Sequence, residues 1–150
     1  MAECVRDANV LVAWMDASDS LHVRAHDLMA QLERDGAEPV LLDILVGEAV
    51  SVLCRRFRER NRRADLAAML AELRRRVDPS TIQWVGGEAE RLYETILDQV
   101  AGTDGRLNFN DAFIAVLQRE GRIGQVATFD NGFDAVPGFM RIALAERTRG

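Results

Sequence analysis

The chain has 150 residues, 48% hydrophobic and 29% charged, with a formal net charge of −5. That length and balance suit one globular domain over residues 1–150 with its own core, and exclude a fibrous or disordered chain. All 19 basic residues are arginine, and the acidic balance excludes a uniformly basic coat for nucleic acid.

Apolar runs stay shorter than a membrane span, and no basic N-terminal segment leads into an apolar stretch, so a cytoplasmic protein without membrane contact is expected. Cys4 and Cys54 lie in apolar surroundings without CxxC spacing and read as small buried thiols.

In chain order, residues 3–6 are short and extended, and Val10 to Met15 form an apolar segment able to begin a helix. Leu21, Ala25, Leu28, Met29 and Leu32 recur at helical spacing, closed by Gly36. Pro39 to Leu42 is a buried-strand candidate, and Asp43 reads as the N-cap of a helix carrying Val46, Glu48, Ala49 and Leu53. Residues 64–75 form an amphipathic helix, broken by Asp78-Pro79-Ser80. A strand over Thr81 to Val85 and a helix from Glu88 to about Val100 follow. Asn108 caps a helix from Phe109 to Glu120 with Asp111 in its first turn. Gln125 to Phe129 and Arg141 to Leu144 complete the strands. Strands alternating with helices predict an α/β fold, a mainly parallel sheet covered on both faces.

Four acids stand where apolar segments meet a turn or a helix start: Asp7, Glu48, Asp111 and Asp130. Asp7 and Asp130 are predicted at strand ends, beyond the carboxyl edge that holds the ligand crevice in open α/β sheets. Glu48 and Asp111 reach the same crevice if their helix starts border it. Carboxylates gathered there repel one another and call for a divalent cation. Asn9 and Thr128, two residues from Asp7 and Asp130, are placed to orient them. Each acid alone also has a structural reading: dipole partner for Asp111, turn former for Asp130, helix surface for Glu48.

These residues resemble the PIN domain, and within it the VapC-type toxin ribonucleases. The likeness spans the chain: D-x-N-V-L at Asp7 to Leu11, an apolar run into Glu48 followed by Ala-Val-Ser-Val-Leu, L-N-x-x-D-A at Leu107 to Ala112, and A-T-F-D-x-x-F at Ala127 to Phe133. It implies a three-layer α/β/α PIN-like domain. It also implies a metal-dependent endoribonuclease, the toxin of a toxin–antitoxin pair, using Mg²⁺ or Mn²⁺ for in-line hydrolysis of RNA. Asp7, Glu48, Asp111 and Asp130 would then be the catalytic and metal-binding set, supported by Asn9 and Thr128. Asp7 and Asp111 would be principal ligands, Asp130 a ligand directly or through water, and Glu48 a ligand or the group orienting the nucleophilic water. Implied partners are an RNA substrate, a small antitoxin and a second copy of the chain. The alternative is the same fold acting in RNA maturation or on DNA.

Two positions depart from that pattern. Arg6 stands where an apolar strand residue is usual, and Gly132 where many relatives carry another acid; Asp134 is a compensating acid or a turn cap. A phosphoacceptor or phosphatase reading of Asp7 fares poorly, because position 9 is Asn and the chain has no lysine. His22 and His26 lack the glutamate of a zinc HExxH motif and read as a helix-surface pair. Arg55, Arg56, Arg58, Arg60, Arg62 and Arg63 have two readings that stay open: a phosphate-binding collar for RNA, or arginines completing a helix end. Trp14, Trp84 and Phe113 are expected in the core.

Overall fold

The computed structural model describes residues 2–143. Five parallel strands, β1 (Glu3–Arg6), β2 (Glu38–Leu42), β3 (Ile82–Gln83), β4 (Gln125–Ala127) and β5 (Arg141–Ile142), form one sheet in the order β3-β2-β1-β4-β5. Among the described residues, six α-helices surround it: α1 (Ala8–Met15), α2 (His22–Arg34), α3 (Asp43–Glu59), α4 (Leu66–Arg76), α5 (Ala89–Gly102) and α6 (Phe109–Arg119). The result is the three-layer α/β/α arrangement expected from the alternation of elements.

The pleat divides the core. Val5 and Cys4 point to opposite faces. Val5, Val40 and Leu42 join Leu45 and Leu53 of α3, Ile96 of α5, and Phe113, Ile114 and Leu117 of α6. Cys4 and Ala127 pack instead against Val10, Leu28 and Leu32. Ala112 to Gln118 are all buried, which makes α6 the most enclosed helix and explains its apolar run. Gln118, the polar member of that run, donates to the carbonyls of Gly124 and Met140 and accepts from Met140 N–H, fastening the approach to β5.

Several expectations need correction. β3 and β4 are shorter than predicted because Trp84, Val85, Thr128 and Phe129 lie in the turns leaving the sheet. Leu144 falls outside the described residues. Asp43 does not cap its own helix, whose N-cap is Leu42. Its carboxylate instead accepts from Val85 N–H (2.8 Å) and Gly86 N–H (3.0 Å), tying the end of β3 to the start of α3. A Cβ at Gly86 would lie 2.8 Å from Asp43 Oδ2, so only glycine permits this approach. Phe113 is buried and Trp14 half-buried, but Trp84 is 71% exposed and no part of the core.

The arginine run spills off the end of α3, and half of it is committed within the chain. Arg56 reaches Asp16 (3.2 Å) and Asp19 (2.6 Å), while Arg60 reaches Asp16 and Ser18. Arg62 pairs with Asp65 at 2.9 Å and stacks over Phe57. These three fasten the α1–α2 connection and the start of α4 to α3.

Candidate active site

Asp7 leaves β1 with its N–H still bonded to Ala127 O, so the sheet ladder fixes its backbone. Extended at φ −66°, ψ 159°, it caps α1 by accepting from Ala8 N–H at 2.7 Å. Its second oxygen accepts from Thr128 Oγ1 at 2.6 Å. Thr128 is fully buried, and its hydroxyl receives Asp130 N–H at 3.0 Å and Asn9 Nδ2 at 3.1 Å. Asn9 Oδ1 accepts from Phe129 N–H. The two polar residues singled out in the sequence thus link the ends of β1 and β4 into one network.

Asp130 turns the chain, accepting from Gly132 N–H at 2.8 Å. A Cβ at Gly132 would stand 2.9 Å from Asp130 Oδ1, so the glycine is what this tight turn requires. Asp134 does not replace the missing acid, because both its oxygens pair with Arg141. Asp111 sits in the first turn of α6, its N–H held by Asn108 Oδ1 at 2.9 Å. Glu48, on α3, has a buried Oε2 without a hydrogen-bond partner among the described residues.

The four acids feel one another. Burial, and next the charges of Asp7, Asp130 and Glu48, push the Asp111 carboxyl from an ordinary 3.8 to about 7. Glu48 is raised by burial and by Asp7, and Asp7 by burial with a smaller contribution from Asp130. Among the described residues, no arginine figures among the charges acting on these three. Among the described residues, however, no three acidic, histidine or cysteine side chains already stand close enough to hold a metal ion. Both facts fit uncompensated carboxylates facing one space at a distance. An acceptor-only oxygen buried without a donor, beside acids that raise one another's pKa, is a donor set suited to a hard cation.

The profile of the PIN domain family matches residues 4–138. The chain belongs to the PIN domain family. No curated protein matches it significantly in sequence. Solved structures resemble it in fold. VapC20 of Mycobacterium tuberculosis, a sarcin–ricin-loop-cleaving toxin, is 20% identical with a TM-score of 0.63, over 93% of this chain and 98% of that one. VapBC2 of Rickettsia felis, bound to a promoter DNA fragment, gives 11% and 0.64 over 93% and 97%. A Pyrobaculum aerophilum protein gives 18% and 0.60 over 93% and 90%.

The PIN fold accounts for where the other sequence candidates fall. Arg6 is only 6% exposed and points away from the acids, its Nε against Met29 Sδ and one terminal nitrogen on Cys4 O. It borders a cavity of about 660 Å³ with Leu11, Trp14, Met29 and Leu41, which none of the four acids lines. His22 and His26 stack edge to face at 4.5 Å, and His22 Nδ1 is engaged by Ala13 O, as a helix-surface pair would be. Sequence reasoning missed Arg24, whose guanidinium lies 5.7 Å from the Phe129 ring centre, beside Asp130. No local signal marks it, because α2 and the end of β4 meet only in the folded chain.

Proposed function

We propose that this PIN domain is a metal-dependent endoribonuclease acting as the toxin of a toxin–antitoxin pair. The observation that carries the reading is the convergence of Asp7, Glu48, Asp111 and Asp130 from four separate elements on one sheet edge. Asp7, Glu48 and Asp111 have their pKa values raised by burial and by other acids of the set, with no compensating arginine among the described residues. Such a site is costly to the fold, and a cation offsets that cost.

Asp7 and Asp111 would hold Mg²⁺ or Mn²⁺ as principal ligands, Asp130 directly or through water, and Glu48 as a ligand or through the nucleophilic water. When bound, the ion would acidify water and offset charge on the phosphoryl group. The chain's own part is positioning. Thr128 and Asn9 fix the Asp7 rotamer through the network described above, and Asn108 fixes the turn that presents Asp111.

Similarity in fold to VapC20 and to VapBC2 supports the toxin reading and a small antitoxin as partner, and the family resemblance supports a homodimer. Purified protein incubated with RNA should cleave with added Mg²⁺ or Mn²⁺ and not with EDTA. Full cleavage in EDTA would refute the metal-dependent mechanism. A parallel digestion of DNA separates RNA from DNA specificity. Expression without an antitoxin gene should arrest growth, and the Asp7→Asn form should not; unaffected growth with an active enzyme would move the role to RNA maturation.

A further inference from the structure

One buried charge is explained neither by the packing of the fold nor by the acidic edge. Arg6 closes β1, the central strand, directly after the fully buried Cys4 and Val5. At 6% exposure its side chain is interior too, and it forms no ion pair among the described residues. Nε rests on Met29 Sδ and Nη1 donates to Cys4 O, while Nη2 has no hydrogen-bond partner among the described residues. A charge taken from water without a counter-ion is a cost that an apolar side chain at this position would not carry.

That guanidinium lines the cavity of about 660 Å³. On this side of the sheet α1 and α2 cover Cys4 and Ala127 through Val10, Leu28 and Leu32, and leave Leu41 of β2 facing the cavity. Leu11, Trp14, Met29 and Leu41 make its walls apolar. Arg76, the other cation there, is already matched. Its Nε pairs with Glu72 at 2.7 Å, and its guanidinium lies 4.8 Å from the Trp14 ring centre, which holds the indole in place. Glu33, Glu38 and Asp78 border the same space but are exposed, so they ring its mouth with negative charge.

We propose that this cavity binds a small organic monoanion, a carboxylate carried on an apolar body, with Arg6 as its counter-ion. The guanidinium fork matches a carboxylate, and Nη2 is the donor left to meet it. Apolar walls, and a volume within the roughly 300–1,000 Å³ of small-molecule sites, call for an uncharged body. The acids at the mouth disfavour a second negative charge, which sets a phosphate monoester or a nucleotide aside. A peptide would bring backbone N–H and C=O groups that these walls cannot satisfy. None of the four acids at the carboxyl edge lines the cavity, so its occupant is distinct from anything cleaved there.

The test uses the full chain, with dansylaminoundecanoate as probe and its methyl ester as the uncharged match. The chain has two tryptophans, so in a Trp84→Phe background Trp14 alone can pass excitation to a bound dansyl group. Titration at neutral pH should show that transfer, saturating at one probe per chain, and the ester should bind at least about 10-fold more weakly. Arg6→Met should lower the affinity for the acid to that for the ester and leave the ester unchanged, whereas Arg6→Lys should keep part of the preference. Arg6→Met should melt no lower than the parent protein, because it removes a buried charge and keeps an apolar stem. Leu41→Phe, which retains Arg6 and fills the space, should weaken acid and ester alike, and it decides the matter if Arg6→Met does not fold. Equal affinity of acid and ester for the parent protein, or an acid preference that survives Arg6→Met, overturns the site. So does affinity unmoved by Leu41→Phe, or no energy transfer from Trp14 up to about 1 mM probe. Acid binding that falls away as the chain self-associates assigns the cavity to a second copy and likewise overturns the small-ligand site.

Discussion

Replacing Asp111 by Asn should make the metal-free protein more stable while abolishing its cleavage of RNA. The Asp111 carboxyl rises from 3.8 to about 7 on folding, mainly by burial and then by its acidic neighbours. Each pKa unit corresponds to about 1.4 kcal/mol, so an upper bound on the penalty is about 4 kcal/mol. Asp111 is half-buried, and solvent screening cuts this to roughly 1–3 kcal/mol. Removing a negative charge from the first turn of α6 forfeits about 0.3–1 kcal/mol of dipole stabilisation. A net gain of about 1–2 kcal/mol remains, or roughly 2–8 °C in melting temperature for a chain of this size.

The pH dependence gives the sign. Because the folded pKa is the higher one, the folded protein binds the extra proton between about pH 4 and 7. Wild-type stability from this group therefore falls as pH rises through that window and is constant above it. The advantage of Asp111→Asn should be small near pH 4, grow towards pH 7 and level off by about pH 8.5. Thermal melts in EDTA across this range, paired with an RNA cleavage assay in Mg²⁺, measure both halves. A melting-temperature difference that is absent at about pH 8.5, or equal at about pH 4.5 and 8.5, would refute the crowded-carboxylate account. Wild-type turnover in Asp111→Asn would refute its role in cleavage.

Other changes follow from named contacts. Thr128→Val removes the hydroxyl that donates to buried Asp7, and should cost about 1–3 kcal/mol in denaturant titrations and reduce turnover; a neutral outcome would show the network to be incidental. Gly132→Ala must displace Asp130 Oδ1 from 2.9 Å, so cleavage should fall while the core remains folded by circular dichroism; full activity would show that Asp130 tolerates movement. Mg²⁺ should raise the wild-type melting temperature in proportion to log concentration above its dissociation constant and raise that of Asp111→Asn much less, which a metal titration checks. With Arg56, Arg60 and Arg62 committed inside the chain, Arg55, Arg58 and Arg63 are the remaining collar candidates. Their joint change to Ser should flatten the salt dependence of RNA binding if they meet phosphates; an unchanged slope assigns the run to the end of α3.

The amino-acid sequence alone settles the local grammar. Helical and strand periodicities, the Asn108 cap and the placing of Asp7 and Asp130 just past strands all depend on residues a few positions apart, and the structure reproduces them. That is why an α/β sheet with acids at its carboxyl edge is legible from the residues. Pairings across the chain are not. Asp43 carries every local mark of a helix cap, yet its carboxylate is claimed by Val85 and Gly86, because β3 lies beside β2. Trp84 belongs by composition in a core, and only the early end of β3 leaves it in water. The arginine run reads as one surface, but Asp16 and Asp19, on a distant loop, take Arg56 and Arg60 out of it. Hydrophobic pattern and capping are short-range and survive in sequence. The partner of a charge or an aromatic ring depends on which elements the topology sets side by side, and that is fixed only in the folded chain.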